Sequence, residues 1–287
     1  MRGSRVLTAV VAAGAVAAAT LTGSPVAQAA TPIVVWADAP HAAVLSTLLA
    51  KGFQGTPVEV VTKDLATMQN DLTAAKAGTA PDLVWGDLAW TGQLASAGTI
   101  VPITMTAKRA AKFRPSVRAG NQVGKAFYGV PVQISNLALV TNTTLVPKQP
   151  ATFAELADWA KKNPKQFGYN GIKGGMSGVS FVAGWVYAFG GDADKLMKGP
   201  YDAATKTSWD KAFADLKEFN KNAVITPGNA GTLDMLNRGE IAIGPVWVDM
   251  FYSWQADGKL PPNMKLKLVS PGMPGQPMYY AVPEKSA

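Results

Sequence analysis

Residues 33–98 read IVVWADAPHAAVLSTLLAKGFQGTPVEVVTKDLATMQNDLTAAKAGTAPDLVWGDLAWTGQLASAG. Ile33-Val34-Val35-Trp36, Val58 to Val61 and Asp82-Leu83-Val84-Trp85 are short apolar runs rich in β-branched residues, the pattern of strands buried on both faces. Between the first two, His41 to Phe53 places Val44, Leu45, Leu48 and Leu49 at helical spacing. Leu65 to Ala77 and Leu88 to Ala97 form two further helices, closed by Gly78 and Gly98. Strand and helix alternating at this rhythm predict a parallel sheet with helices on its faces.

Downstream the pattern changes. Tyr128 to Thr141 is an extended, uncharged segment with Pro131 early in it, and Thr152-Phe153-Ala154-Glu155 reads as a capping box opening a helix to Lys162. Helices follow over 177–189, 207–221 and 231–237, the last ended by Gly239. Ile241-Ala242-Ile243 reads as a strand, Val246 to Trp254 as a helix, and Lys265 to Val269 as a strand before the turn Pro271 to Pro277. Two lobes joined near 130–140 and again near 270–280 account for this order.

Upstream, Arg2 and Arg5 precede an uncharged run from Val6 to Leu21, Pro25 breaks it, and Ala27-Gln28-Ala29 supplies small residues for signal peptidase. Residues 1–29 are therefore expected to be a signal peptide cleaved after Ala29. The apolar run is shorter than the ~20 residues that span a bilayer. The expected destination is the periplasm or the cell exterior, as a soluble protein.

With 287 residues, 48% hydrophobic and 16% charged, the chain has the composition of a globular protein. It contains no cysteine, which excludes a thiol nucleophile, cysteine-held zinc or iron–sulfur sites and a cysteine-linked lipid. The lone histidine, His41, excludes an all-histidine metal site, and neither metal nor cofactor is expected. The formal charge is +8; without Arg2 and Arg5 it is +6. Basic residues are scattered, and over 195–221 they alternate with acids such as Asp202, Asp210, Asp215 and Glu218. That is a solvated helical surface and not a nucleic-acid footprint.

As a set, these segments resemble a known family. Ala80-Pro81-Asp82-Leu83-Val84-Trp85, Leu94-Ala95-Ser96-Ala97-Gly98 and Val101-Pro102-Ile103 resemble the first lobe of the extracellular solute-binding proteins of ABC importers, in the maltose-binding-protein-like carbohydrate branch. Gly124 to Pro131, Leu137 to Asn142, the phrase Pro150, Thr152, Phe153, Glu155, Leu156, then Asn237 to Ile243 and Gly244-Pro245-Val246-Trp247 continue the likeness in the family's order. The resemblance implies an α/β, two-lobed periplasmic-binding-protein-like fold of type II, each lobe a mostly parallel sheet flanked by helices, with crossover hinge strands. It places lobe 1 at 30–134, lobe 2 at 135–268, and a second crossover returning to lobe 1 at 269–287. Members of the family continue beyond the phrase resembling Tyr280-Ala281-Val282-Pro283 with further helices, so the resemblance implies a longer parent protein.

Sugars are held by aromatic faces against their C–H surfaces and by planar polar groups paired with their hydroxyls. Ligands of open α/β sheets collect at the carboxyl ends of strands. This selects Asp38 and His41 after Trp36, and Asp87 after Trp85, with an N-cap role as the alternative for both aspartates. Trp36 and Trp85 themselves read as core. Gln133, Ser135 and Asn136 are polar residues of the extended segment, and because alternation sends every second residue to one side, some of them are expected to face the cleft. Trp90, Trp185, Trp247 and Tyr279 fall in segments that line the family's cleft, although each aromatic also reads as packing. Ser135, Pro40 and His41 stand where the maltose-binding pattern has charged residues, so the binding mode carries over and the particular sugar does not.

The expected function is that of a receptor delivering a small solute, a sugar or oligosaccharide first, to an ABC permease, acting as a monomer without catalytic residues. A sugar-phosphate, peptide or polyamine is the alternative ligand. A secreted carbohydrate-active enzyme is the alternative function; it requires paired carboxylates, for which Asp38, Asp87, Asp192 and Asp249 are the scattered candidates.

Overall fold

The computed structural model describes residues 30–198 and 203–286. The expected signal peptide and its cleavage site lie outside the described residues.

The first half of the chain follows the alternation legible in residues 33–98: β1 (Ile33–Ala37), α1 (Ala39–Leu48), β2 (Val58–Thr62), α2 (Leu65–Ala74), β3 (Leu83–Asp87), α3 (Leu88–Ser96) and β4 (Ile100–Val101). β1 pairs in parallel with β2 and with β3. The side chains of Asp38, Asp64 and Asp87 accept hydrogen bonds from His41, Thr67 and Trp90 backbone N–H groups, so each strand-to-helix turn is closed by an aspartate N-cap. Short helices α4 (Ala107–Ala110) and α5 (Pro115–Gly120) and the small hairpin β5 (Gln122–Val123)–β6 (Ala126–Phe127) lead to β7 (Val130–Ser135).

Beyond β7 the chain builds a second sheet: β8 (Leu137–Asn142), α6 (Phe153–Lys162), β9 (Phe167–Asn170), α7 (Met176–Phe189), α8 (Ala193–Lys198), α9 (Lys206–Asn220), β10 (Ala223–Thr226), α10 (Gly228–Asn237), β11 (Ile243–Trp247), α11 (Val248–Ala256) and β12 (Met264–Lys267). Its order is β10-β9-β11-β8-β12, with β8 antiparallel to both neighbours. The last strand, β13 (Gln276–Pro283), returns to the first sheet. It lies antiparallel between β3 and β4, and β7 pairs with it too. The chain therefore passes between sheets at Ser135-Asn136-Leu137 and again between Lys267 and Gln276.

Several elements differ from the sequence reading. α1 stops at Leu48 instead of reaching Phe53, because positive φ at Gly52, Gln54 and Gly55 turns the chain, and Phe53 and Thr56 pair across that turn. Its Val44 and Leu48 are exposed. β11 runs to Trp247, past the predicted end at Ile243, because it pairs with β8 along its whole length, Trp247 opposite Leu137. α11 accordingly starts at Val248. β9 and β10 were not anticipated: each is four residues long, and Gly168 interrupts the apolar signal of β9. A Cβ on Gly168 would come within 2.8 Å of Ile241 Cδ1.

Each sheet has its own core. In the first, Met68, Leu72, Val84, Trp90, Leu94, Ile100 and Ala281 pack between sheet and helices. In the second, Phe153, Phe167, Tyr169, Phe181, Trp185 and Phe219 form an aromatic cluster, with the Tyr169 and Phe181 rings 4.5 Å apart between centroids. Among the described residues no helix is long and apolar enough to cross a membrane.

Candidate functional site

Where β7 leaves the first sheet, alternation separates its side chains. Gln133 and Ser135 share one face, while Val132 and Ile134 point to the other and are exposed. The Gln133–Ser135 face meets α11 of the second sheet. Gln133 Nε2 donates to Asp249 Oδ2 at 3.1 Å, and Ser135 Oγ donates to Asp249 Oδ1. The Val248 N–H donates to the Asn136 carbonyl at 3.0 Å and brings the start of α11 onto the crossover.

The amide oxygen of Gln133 faces the first sheet, 3.2 Å from His41 Nε2. Its nitrogen is committed to a carboxylate, so this oxygen accepts and His41 Nε2 carries the hydrogen. The other ring nitrogen, Nδ1, lies 2.5 Å from Asp38 Oδ1. The imidazole is stacked on Trp85, with centroids 4.0 Å apart and planes 26° from parallel. A continuous polar chain results: Asp38, His41, Gln133, Asp249 and Ser135. It starts at the carboxyl end of β1 and ends just past the carboxyl end of β11, the edges where ligands of open α/β sheets collect. Behind Asp38, the Tyr280 hydroxyl is pushed up to about 12 by burial and by the Asp38 charge. Among the described residues neither Asp38 nor Asp249 is paired with lysine or arginine; Lys63 pairs with Asp71 instead and sits over the Trp36 ring.

The remaining sequence candidates are placed elsewhere. Asp87 is buried; one oxygen caps α3 through the Trp90 N–H at 2.8 Å and the other accepts from Gln276 Nε2 at 3.1 Å. Trp90 packs inside the first core over Gly86, where a Cβ would collide with its ring. Trp185 lies in the aromatic cluster, and its Nε1 donates to the Ala212 carbonyl at 3.0 Å. Tyr279 is fully buried, with its hydroxyl donating to the Val117 carbonyl at 3.0 Å. The N-cap alternative accounts for Asp87 and the packing alternative for the three aromatics, and none of the four has a face free for a ligand in this conformation. Trp247 is half-buried at the end of β11, two residues from Asp249, and its backbone N–H donates to Asn229 Oδ1.

Asp249 is the residue that sequence reasoning left among unplaced acids. A signal for it exists: the tripeptide Trp-x-Asp occurs as Trp36-Ala37-Asp38, Trp85-Gly86-Asp87 and Trp247-Val248-Asp249. Each copy stands at the junction of a strand and a helix. Two of the aspartates are N-caps, and the third lies in the first turn of its helix, where the N–H dipoles favour a carboxylate. No cluster of three or more metal-ligating side chains occurs among the described residues. What the polar chain offers a ligand is hydrogen-bond donors and acceptors.

The model of a family described as bacterial extracellular solute-binding proteins matches residues 45–286. A maltotriose-binding protein from Pyrococcus abyssi is 30% identical over 141 residues, which are 47% of this chain and 30% of that protein, so the match spans under a third of the relative's length. A crystal structure of a protein from Bordetella parapertussis, described as an extracellular solute-binding protein, superimposes with a TM-score of 0.68 at 13% identity, over 88% of this chain and 76% of the other. That likeness carries the two-lobed fold.

Proposed function

The chain belongs to the bacterial extracellular solute-binding proteins, and from that premise we propose that it captures a neutral sugar or short oligosaccharide between its lobes and delivers it to the permease of an ABC importer. Members of this family bind a solute and release it unchanged, without a catalytic step. The observation that carries the sugar reading is the polar chain from Asp38 through His41 and Gln133 to Asp249 and Ser135, with the half-buried Trp247 two residues before Asp249 at the end of its strand. A carboxylate accepts two hydroxyl hydrogens, an amide both donates and accepts, and an indole face covers the C–H side of a pyranose ring. The maltotriose-binding relative supports the same class.

In this reading Asp38, His41, Gln133, Ser135, Trp247 and Asp249 touch the solute, and Asp87, Trp90, Trp185 and Tyr279 hold the walls. Residues 30–135 and 136–268 act as the two lobes, with 269–287 closing the first; Ser135 ends the strand that β13 holds in the first sheet. The protein works as a monomer, exported after removal of residues 1–29. A sugar-phosphate is disfavoured, because a phosphate would meet two carboxylates without a lysine or arginine partner.

Calorimetry with maltotriose, glucose and glucose 6-phosphate tests the proposal. Maltotriose is expected to bind at one site per chain and be recovered intact. At 100 times its dissociation constant it should stabilise the fold by about 2.7 kcal/mol, read as a raised melting temperature. Tight binding of the phosphate ester, or of no neutral sugar, would overturn it.

A further inference from the structure

The register of the second sheet gives Asp249 a role that does not depend on what the cleft holds. β8 and β11 are antiparallel with Leu137 opposite Trp247, and the Val248 N–H bonds to Asn136 one step further. Continuing this ladder across the crossover sets Asp249 opposite Ser135. The chain changes sheets at that point, one of its two crossings, so rotation of one lobe against the other is absorbed in part around Asn136, as hinge motions are absorbed by a few residues at element ends. Asp249 belongs to the second lobe, whereas Gln133 and Ser135 belong to a strand held in the first by β13. Its carboxylate takes one hydrogen bond from each of them, i and i+2 on one face of β7. Gln133 in turn is anchored to His41, which is itself held by Asp38 and stacked on Trp85.

We propose that Asp249 is a positioning residue that braces the interlobe hinge: its carboxylate, clamped by Gln133 and Ser135, sets the angle between the lobes. Every partner in the brace is a protein atom, so it operates without solute. A solute hydroxyl that donates to Asp249 competes with Gln133 and Ser135, which couples capture to the hinge angle. Only this last consequence rests on the sugar-capture reading.

The chain has no cysteine, so Lys51→Cys and Lys217→Cys place one spin label on an exposed site of each lobe. Interlobe distances are then measured by pulsed electron resonance, on the doubly labelled protein without added sugar. Asp249→Ala is expected to broaden the distribution and add a longer-distance population, and Gln133→Ala to do the same. Asp249→Asn, which keeps one acceptor oxygen, should fall between Asp249→Ala and the parent. A distribution unchanged by Asp249→Ala in a protein that still melts cooperatively overturns the brace. If Asp249→Ala does not fold, Gln133→Ala and Ser135→Ala decide: unchanged distances in both overturn it, and a shift in either sustains it. Failure to bind any sugar would remove the functional reading and leave this result standing.

Discussion

His41 shows how much one side chain depends on residues far from it in the chain. Its own helix supplies Asp38, three residues away, but Trp85 and Gln133 come from β3 and β7. A histidine at the start of a helix reads equally as a surface residue, and only the approach of β7 puts an acceptor on its second nitrogen. Asp38 also acts on Tyr280, whose hydroxyl is raised from 10 to about 12 by burial first and by the aspartate charge second. The sign follows from proton binding. Between pH 10 and 12 the unfolded chain has released this proton and the folded chain retains it, so stability is complete below pH 10 and falls as pH rises through that window. Tyr280→Phe should reduce the alkaline loss of stability, read from urea midpoints across that range. An unchanged loss would assign it to the other buried tyrosines, Tyr169, Tyr187 and Tyr279, which burial also raises.

At the level of elements, the turn from β3 into α3 carries two constraints that local sequence hides. Asp87 caps the helix and binds Gln276 of β13, while Gly86 leaves room for the Trp90 ring. Gly86→Ala forces the ring out of its place, and overpacking of this kind costs about 1–3 kcal/mol. Chemical denaturation should show a midpoint lowered accordingly, and a neutral result would mean that the ring has room to move. The regular elements of residues 33–98 were legible because each carries a period or a cap of its own. β9 and β10 were not: Gly168 interrupts the apolar signal of β9, and both short strands owe their conformation to pairing with their neighbours. β13 was read as a crossover. It does return to the first sheet, where it becomes an inner strand, a placement fixed by pairing with β3, β4 and β7 across more than a hundred residues of chain.

For the whole molecule, the decisive feature is two sheets with separate cores, joined by two crossings. Phe181 touches Phe153, Phe167, Tyr169, Trp185 and Phe219 and is fully buried. Truncation of such a residue costs about 3–5 kcal/mol. Phe181→Ala should therefore lower the melting of the second lobe, reported by near-ultraviolet circular dichroism of its aromatic cluster, and leave amide-exchange protection of β1 and β3 largely intact. Equal loss of protection in both lobes would show that they unfold as one unit. The lone pairs and N–H groups of the polar chain belong to this scale too, because Asp38 and Asp249 are 211 positions apart in sequence and meet only through β7.

The alternation of residues 33–98, the caps at Asp38, Asp64, Asp87 and Thr152, and the family likeness were determined by the sequence itself, because helix periodicity, strand composition and capping are local properties. Which aromatic residues line a cleft and which fill a core was decided by tertiary structure. Trp185 and Trp247 both look apolar in sequence, yet one is closed in by the rings of Phe153, Phe181, Phe189 and Phe219 and the other is half-buried at a strand end. The joining of Asp249 to Gln133, Ser135 and His41 was decided in the same way, since hydrogen bonds between lobes exist only once both sheets are formed and the crossover sets them face to face.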